Sequence, residues 1–217
     1  AVLVMAQAAP SPSPIMAHYR AYRAAMDAGD IATAETEAAA ALEASVTRDG
    51  DGGRTGVLAL NLAQVRLQRG RIAEANAPAL QAQRIAATRA DSGVDPLLAR
   101  LVVGRSMLTS GAGRSAGANL ETTLQEARSR TDLTDEAYFA AADLGRFYAN
   151  ENLFVSSAES WAIAAALADP NQPERRVAYA EARLGEGIAR YSEIVRSQDQ
   201  RRTRPSDTTI RLQTDRY

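Results

Sequence analysis

The sequence predicts an all-α fold, a solenoid of paired helices, and three observations predict it. Gly29, Gly70 and Gly111 each close an apolar-periodic segment and are evenly spaced, 70 − 29 = 41 and 111 − 70 = 41, and a further step of the same size reaches Asn152. Glycine and asparagine most readily take the left-handed backbone conformation that ends a helix, so this spacing marks four helix ends in register. The composition, 46% apolar but only 5% aromatic and rich in alanine, favours helix and excludes a large aromatic core. No stretch sustains a two-residue apolar alternation, and no sheet is expected.

The elements follow from the turns. Segments of about four turns lie upstream of each marker, at 15–28, 54–69, 96–110 and 135–151, and their partners lie downstream at 31–46, 72–90, 114–130 and 154–168. Aligning the units on their markers stacks Ala21, Leu62, Val103 and Leu144, then Tyr22, Ala63, Gly104 and Gly145, where small residues let helices approach closely. Past the turn, Ala34, Ala75 and Ala116 recur, then Ala38, Ala79 and Leu120, a seam at helical spacing. With one extra residue, Ala158, Ala162, Ala165 and Pro170 fall into place in the fourth unit. Start signals agree: Asp95-Pro96 and Gln172-Pro173-Glu174 put proline at a first helical turn, and Thr134 before Asp135-Glu136 reads as an N-cap. Pro78 does not agree. It predicts a kink or a late start in the second helix of unit two. A fifth first helix is expected within 173–198, where Leu184-Gly185 repeats Leu144-Gly145 at nearly the same step, 184 − 144 = 40. Val177, Ala180, Leu184, Ile188 and Tyr191 would form the apolar stripe of a terminal cap there.

These boundaries divide the chain into a leader at 1–14, a helical repeat domain at 15–198, and a polar linker with the start of a further element at 199–217. Residues 1–8, AVLVMAQA, read as the end of an apolar signal segment closing on Ala6-Gln7-Ala8, followed by a Pro- and Ser-rich leader. A periplasmic or secreted location is expected on that reading, and a cytoplasmic one otherwise. No stretch reaches the length of a membrane span.

Charge and chemistry narrow the function. With 25 basic and 26 acidic residues, nothing draws the whole chain to nucleic acid, and no nucleic-acid partner is expected. Every basic residue is arginine, so no lysine can form a Schiff base or serve a phosphate loop. Cysteine is absent and His18 is the single histidine, which removes the usual zinc, iron–sulfur and haem ligand sets and cysteine nucleophiles. No metal or cofactor is expected. His18 has no carboxylate or serine beside it in sequence and reads as a partly exposed packing residue. Glu159-Ser160 is similar to the glutamate-serine pair of lytic transglycosylases but sits mid-helix without the rest of that pattern. Trp161 and Tyr148 read as packing residues, and the glycine-rich runs at 49–53 and 110–113 as turns.

Leu144-Gly145, Tyr148, Ala158, Trp161, Ala165 and Pro170 resemble the signature of the tetratricopeptide family, and the Gly29-Asp30 and Gly70-Arg71 turns resemble its junction between first and second helices. The resemblance covers residues 15–170. The repeat step seen here is longer than the usual ~34, and Ala21-Tyr22 stands where Leu-Gly is expected. The resemblance implies a right-handed solenoid of antiparallel helix pairs, about four repeats plus a C-terminal capping helix. It also implies a concave groove lined by first helices, which binds a protein or peptide and catalyses nothing. Carried over by position, the groove holds Met16, Val57, Leu98 and Phe139; Tyr19, Leu60, Leu101 and Ala142; Arg23, Gln64, Arg105 and Arg146; and Asp27, Gln68, Thr109 and Asn150.

The mostly arginine column has two readings. As a binding row, Arg23, Arg105 and Arg146 grip carboxylates of an acidic partner, with Tyr19, Leu60, Leu101 and Phe139 as flanking apolar contacts and Gln64 as a neutral hydrogen-bonding group. As a solvated face, each arginine pairs with an acidic neighbour such as Asp27, Glu35 or Asp143. Three functional classes remain open: a partner-binding scaffold of the cell envelope, a structural or oligomerisation module acting through an outer apolar edge, and the helical part of a larger envelope protein, either a TonB-like transducer or a peptidoglycan-processing enzyme.

Overall fold

The computed structural model describes residues 13–108 and 113–203. Among them the chain forms nine α-helices and no strand: α1 (Pro14–Asp27), α2 (Ile31–Asp49), α3 (Gly53–Gln68), α4 (Ile72–Thr88), α5 (Pro96–Met107), α6 (Gly113–Ala127), α7 (Thr134–Asn150), α8 (Phe154–Leu167) and α9 (Arg176–Thr203). Single 3-10 turns, Thr131–Leu133 and Pro173–Arg175, lead into α7 and α9. The chain falls into two compact units, Ala1–Glu126 and Ala127–Tyr217. Successive helices pack on one another within each unit, from α1 through α5 in the first and from α7 through α9 in the second.

The turn residues do what their spacing predicts. Gly29, Gly70 and Asn152 have φ of 74°, 71° and 58°. Around each, two backbone bonds cap the preceding helix: Gly29 N donates to Met26 O and Asp30 N to Ala25 O, at 3.0 and 2.9 Å. The same pair recurs as Gly70 to Leu67 with Arg71 to Arg66, and as Asn152 to Ala149 with Leu153 to Tyr148. These satisfy the carbonyls that a helix end otherwise leaves open. Gly111 lies outside the described residues, as does the 110–112 part of the second glycine-rich run.

Small residues set the packing. Ala34, Ala38, Ala75, Ala79, Ala116, Ala158 and Ala165 are buried with Leu120, as the seam predicts, and Ala162 is half-buried. Gly104 lets α5 lie against Leu120 of α6, since a Cβ there would come within 2.8 Å of the leucine. In the second unit Trp161 is gripped between two glycines: a Cβ on Gly145 of α7 would meet its indole at 2.7 Å, and one on Gly185 of α9 at 2.5 Å. The predicted packing role of Trp161 and Tyr148 holds, with both side chains buried.

Pro78 departs from expectation. The helix neither starts late nor breaks, and α4 runs from Ile72 through Pro78, which is buried. Proline removes the amide that would have bonded the carbonyl of Glu74, and the Arg66 guanidinium supplies a replacement donor to that oxygen at 2.9 Å. Asp95 caps α5, accepting from Leu97 N and Leu98 N at 2.8 and 3.2 Å. Thr134 does not cap α7. It is the first residue of that helix, and its hydroxyl donates back to Thr131 O at 2.8 Å, because the 3-10 turn before it already begins the coil. The helix expected to end at 198 continues to Thr203, so the first part of the expected linker is helical; residues 204–217 lie outside the described residues, as do 1–12.

The largest correction concerns α9. Its predicted stripe does not face inward. Ala182, Glu186 and Ala189 are buried and Gly185 meets Trp161, whereas Val177, Leu184, Ile188 and Tyr191 lie in the open and Ala180 is exposed with them. Trp161 fixes this orientation, because only the small-residue face of α9 admits the indole. A terminal cap would turn a polar face outward, and this helix turns an apolar one.

Candidate partner-binding surface

Columns in register along the first helices were the site expected from sequence. In the first unit α1 and α3 share a core with α2, built from Tyr22, Ala25, Ala34, Ala38, Leu62 and Val65, and α3 shares another with α4 and α5. Cores of this kind fix which face of each helix remains outside. Arg23 is exposed and Gln64 and Arg105, at the same register, are half-buried, so the polar column reaches the surface of α1, α3 and α5. Met16 is exposed, while Tyr19, Val57 and Leu98 are half-buried. Asp27 and Gln68 are exposed, and Thr109 falls outside the described residues.

Leu60 and Leu101 do not belong to a groove wall. At 6% and 0% exposure they are core residues, sunk because the helices that flank them approach on alanine-lined faces. Ala142 is buried likewise. In the second unit Phe139 and Asn150 are exposed, and Phe139 stands edge-on to Tyr138 at 5.3 Å. Arg146 is held within its own chain. Its Nη1 donates to Asp143 at 3.1 Å, its Nη2 to Glu181, and its guanidinium lies 5.2 Å from the centre of the Trp161 ring. Asp143 was expected from sequence as a partner. Glu181 was not, because it comes from α9, where no local pattern signals the contact.

Glu35, the other acidic residue weighed as an arginine partner, serves a different trio. Its buried carboxylate accepts from Arg66 at 3.1 Å, Arg69 at 2.6 Å and Arg71 at 2.7 Å, all at the α3–α4 junction. Burial alone would push this carboxyl up, and the guanidinium bonds outweigh it and hold it below its ordinary value. Asp30 is held low chiefly by the backbone amide of Thr33, whose N–H it accepts at 3.0 Å as the cap of α2.

His18 gains a neighbour that the sequence did not show. Its Nδ1 lies 2.8 Å from Glu37 of α2, beside an open cleft of about 480 Å³ lined by Ile15, Glu43 and Thr47 among others. Glu159 is exposed on α8, and the Ser160 hydroxyl bonds to Ser156 O at 2.9 Å, an ordinary helix face. Among the described residues no three His, Cys, Asp or Glu side chains are grouped to hold a metal, and no helix is long and apolar enough to cross a membrane.

One surface was read from the sequence as an inward stripe and lies outward instead. Val177, Leu184, Ile188, Tyr191, Ile194 and Val195 are 79, 65, 57, 68, 55 and 38% exposed along one side of α9. Its lower end opens on a cleft of about 720 Å³ between the start of α8 and the end of α9, where Phe154, Tyr191 and Val195 meet Asn152 and Arg196. The clue was the repeat itself: one step back along the chain, the positions of α7 that match Val177, Leu184 and Ile188 are Ala137, Leu144 and Tyr148, and all three are buried. No protein-family model matches this chain, and no curated protein matches it.

Proposed function

We propose that this chain is a non-catalytic scaffold of the bacterial cell envelope, a tetratricopeptide-like right-handed solenoid of antiparallel helix pairs that holds a protein or peptide segment on its first-helix face. One observation supports this most directly: Arg23, Gln64 and Arg105 reach the surface of three successive first helices at one register while their neighbours Leu60 and Leu101 sink into the core. Helices of this kind have no function in themselves, and a repeated surface column is the feature by which they recognise a chain lying across them. The column offers planar donors for carboxylates, and Met16, Tyr19, Val57 and Leu98 offer apolar contact beside it, replacing Leu60 and Leu101 in that role. An acidic segment is the partner that fits.

Affinity capture from an envelope extract, followed by titration of the captured partner, tests this. Arg23→Ala and Arg105→Ala each weaken binding several-fold while the helical circular dichroism holds, and binding falls as salt rises. Arg146→Ala instead lowers the stability of the second unit and leaves binding intact. Normal binding by both first-unit variants sinks the column as the site. Export rests on residues 1–8, and N-terminal sequencing from the native host checks it: a start near Ala9 supports an envelope location, and residues 1–8 intact in the cytoplasm reject it.

A further inference from the structure

The open face of α9 has the pattern of a helix seam. Leu184, Ile188, Tyr191 and Val195 follow one another at spacings of four, three and four residues, with Val177 two turns before them, the repeat by which two helices bury a common stripe. The six exposed side chains offer roughly 600 Å² per copy, so a pair would bury ~1,200 Å², which reaches the range of specific interfaces. A patch of this size lies at the upper end of what a monomer exposes, where such patches are commonly contact sites.

Gly187 is an independent sign. It lies in the interior of α9 next to this stripe, its φ is not positive, and a Cβ added there would meet nothing within 4 Å. Other helical glycines of the chain admit a neighbour: Gly56, Gly104, Gly145 and Gly185 each have a side chain against them. An exposed interior glycine destabilises a helix by about 1 kcal/mol relative to alanine, with no return among the described residues. A close neighbour from outside accounts for it.

We propose that α9 pairs with α9 of a second copy in an antiparallel seam whose twofold axis passes between Ile188 and Tyr191. In that register Ile188 meets Tyr191 of the other copy and Leu184 meets Val195. Gly187 comes opposite Ile194, which is 55% exposed at the edge of the stripe and fills the space above the glycine. A parallel seam would leave both Gly187 and Ile194 without a complement. The surface is self-complementary in one orientation only, and the occupant it fits is a second copy of this chain. This pairing does not depend on the binding column of α1, α3 and α5.

Sedimentation and light scattering of the full chain test the pairing. The chain forms a dimer at tens of micromolar, and Leu184→Asp with Ile188→Asp weakens it at least a hundredfold while helical content is unchanged, since both side chains are exposed. Because the chain has no cysteine, orientation is read with Gly187→Cys and Ile194→Cys chains and a short thiol cross-linker: their mixture gives the mixed product in excess of either self-product. A chain that stays monomeric overturns the proposal, whether residues 204–217 or a different protein then proves to cover the stripe. So does a dimer that survives the double aspartate variant, and so does self-linking in preference to mixed linking.

Discussion

Gly185→Ala and Gly187→Ala differ by two positions in one helix and should shift stability in opposite directions. At Gly185 an added methyl carbon meets Cδ2 and Cε2 of Trp161 at 2.5 Å, and the indole cannot retreat because Gly145 of α7 already stands against its ring. Forcing one extra carbon into a packed site destabilises by about 1–3 kcal/mol, and a rigid ring held on both sides belongs in the upper half of that range. Alanine returns about 1 kcal/mol of helix propensity, so the net loss is about 1–2 kcal/mol. At Gly187 nothing lies within 4 Å, only the propensity gain remains, and the variant is stabilised by about 0.5–1 kcal/mol. The propensity contribution is common to both, so the difference of about 2–3 kcal/mol isolates the steric conflict. Denaturant titration followed by tryptophan fluorescence is the assay, at sub-micromolar concentration so that association does not contribute. The chain has a single tryptophan, and it is the residue in contention, so the signal reports this packing and no other. Equal midpoints for the two variants, or a Gly185→Ala chain with the emission and midpoint of the parent, would falsify the glycine grip on Trp161.

Glu35→Gln should destabilise the first unit by about 2–3 kcal/mol, since it removes the acceptor of three charge-assisted bonds while leaving arginines that water can partly re-solvate. The carboxyl of Glu35 is held below its unfolded value, so its contribution is present above that value, about 4.3, and is lost as pH falls through the folded one. Thermal melts from pH 6 to pH 2 should therefore show a shallower acid limb in Glu35→Gln than in the parent, and identical limbs would remove Glu35 from the acid response. At the repeat turns, Gly70→Ala should cost about 1 kcal/mol because φ is 71°, whereas Asn152→Gly, at φ 58°, should be neutral or stabilising by a few tenths. Denaturation midpoints of the two units check both.

The sequence carried most of the fold because its information was local. A glycine or asparagine at a helix end has few alternative explanations, and its recurrence at one constant step sets the register for everything between. The start of α5 at Pro96 and its cap at Asp95 were likewise written in neighbouring residues. What was not legible depended on contacts between separate segments. Pro78 sits undisturbed within α4 because Arg66, from the preceding helix α3, reaches the orphaned carbonyl of Glu74. Arg146 is engaged because Glu181 arrives from α9. Leu60 and Leu101 share a register with Tyr19, yet Tyr19 is half-buried and they are core, because α1 is flanked on fewer sides than α3 and α5.

The misreading of α9 shows why periodicity finds a stripe without saying which way it points. The hydrophobic pattern ranks Val177, Leu184, Ile188 and Tyr191 above Ala182, Gly185 and Ala189, and burial within the chain ranks them in reverse. Size, not hydrophobicity, decides that contest. Trp161 fills the space between α7 and α9, and only a face of glycine and alanine can lie against it; rotating α9 to bury Leu184 would drive a branched side chain into the indole and leave the Glu186 carboxylate, now buried with Arg183 and Arg190 as partners, in a new environment. The large residues are therefore displaced outward as a consequence of how the small ones pack. A helix with one small buried face and one large exposed face has two packing surfaces, and the described residues fill only the first. An apolar stripe that served no contact would cost solubility, and Gly187 within it would cost helix stability. Both costs disappear if the second surface is used, and the same repeat register that buries Leu144 and Tyr148 in α7 makes Leu184 and Ile188 of α9 the positions at which the next helix belongs.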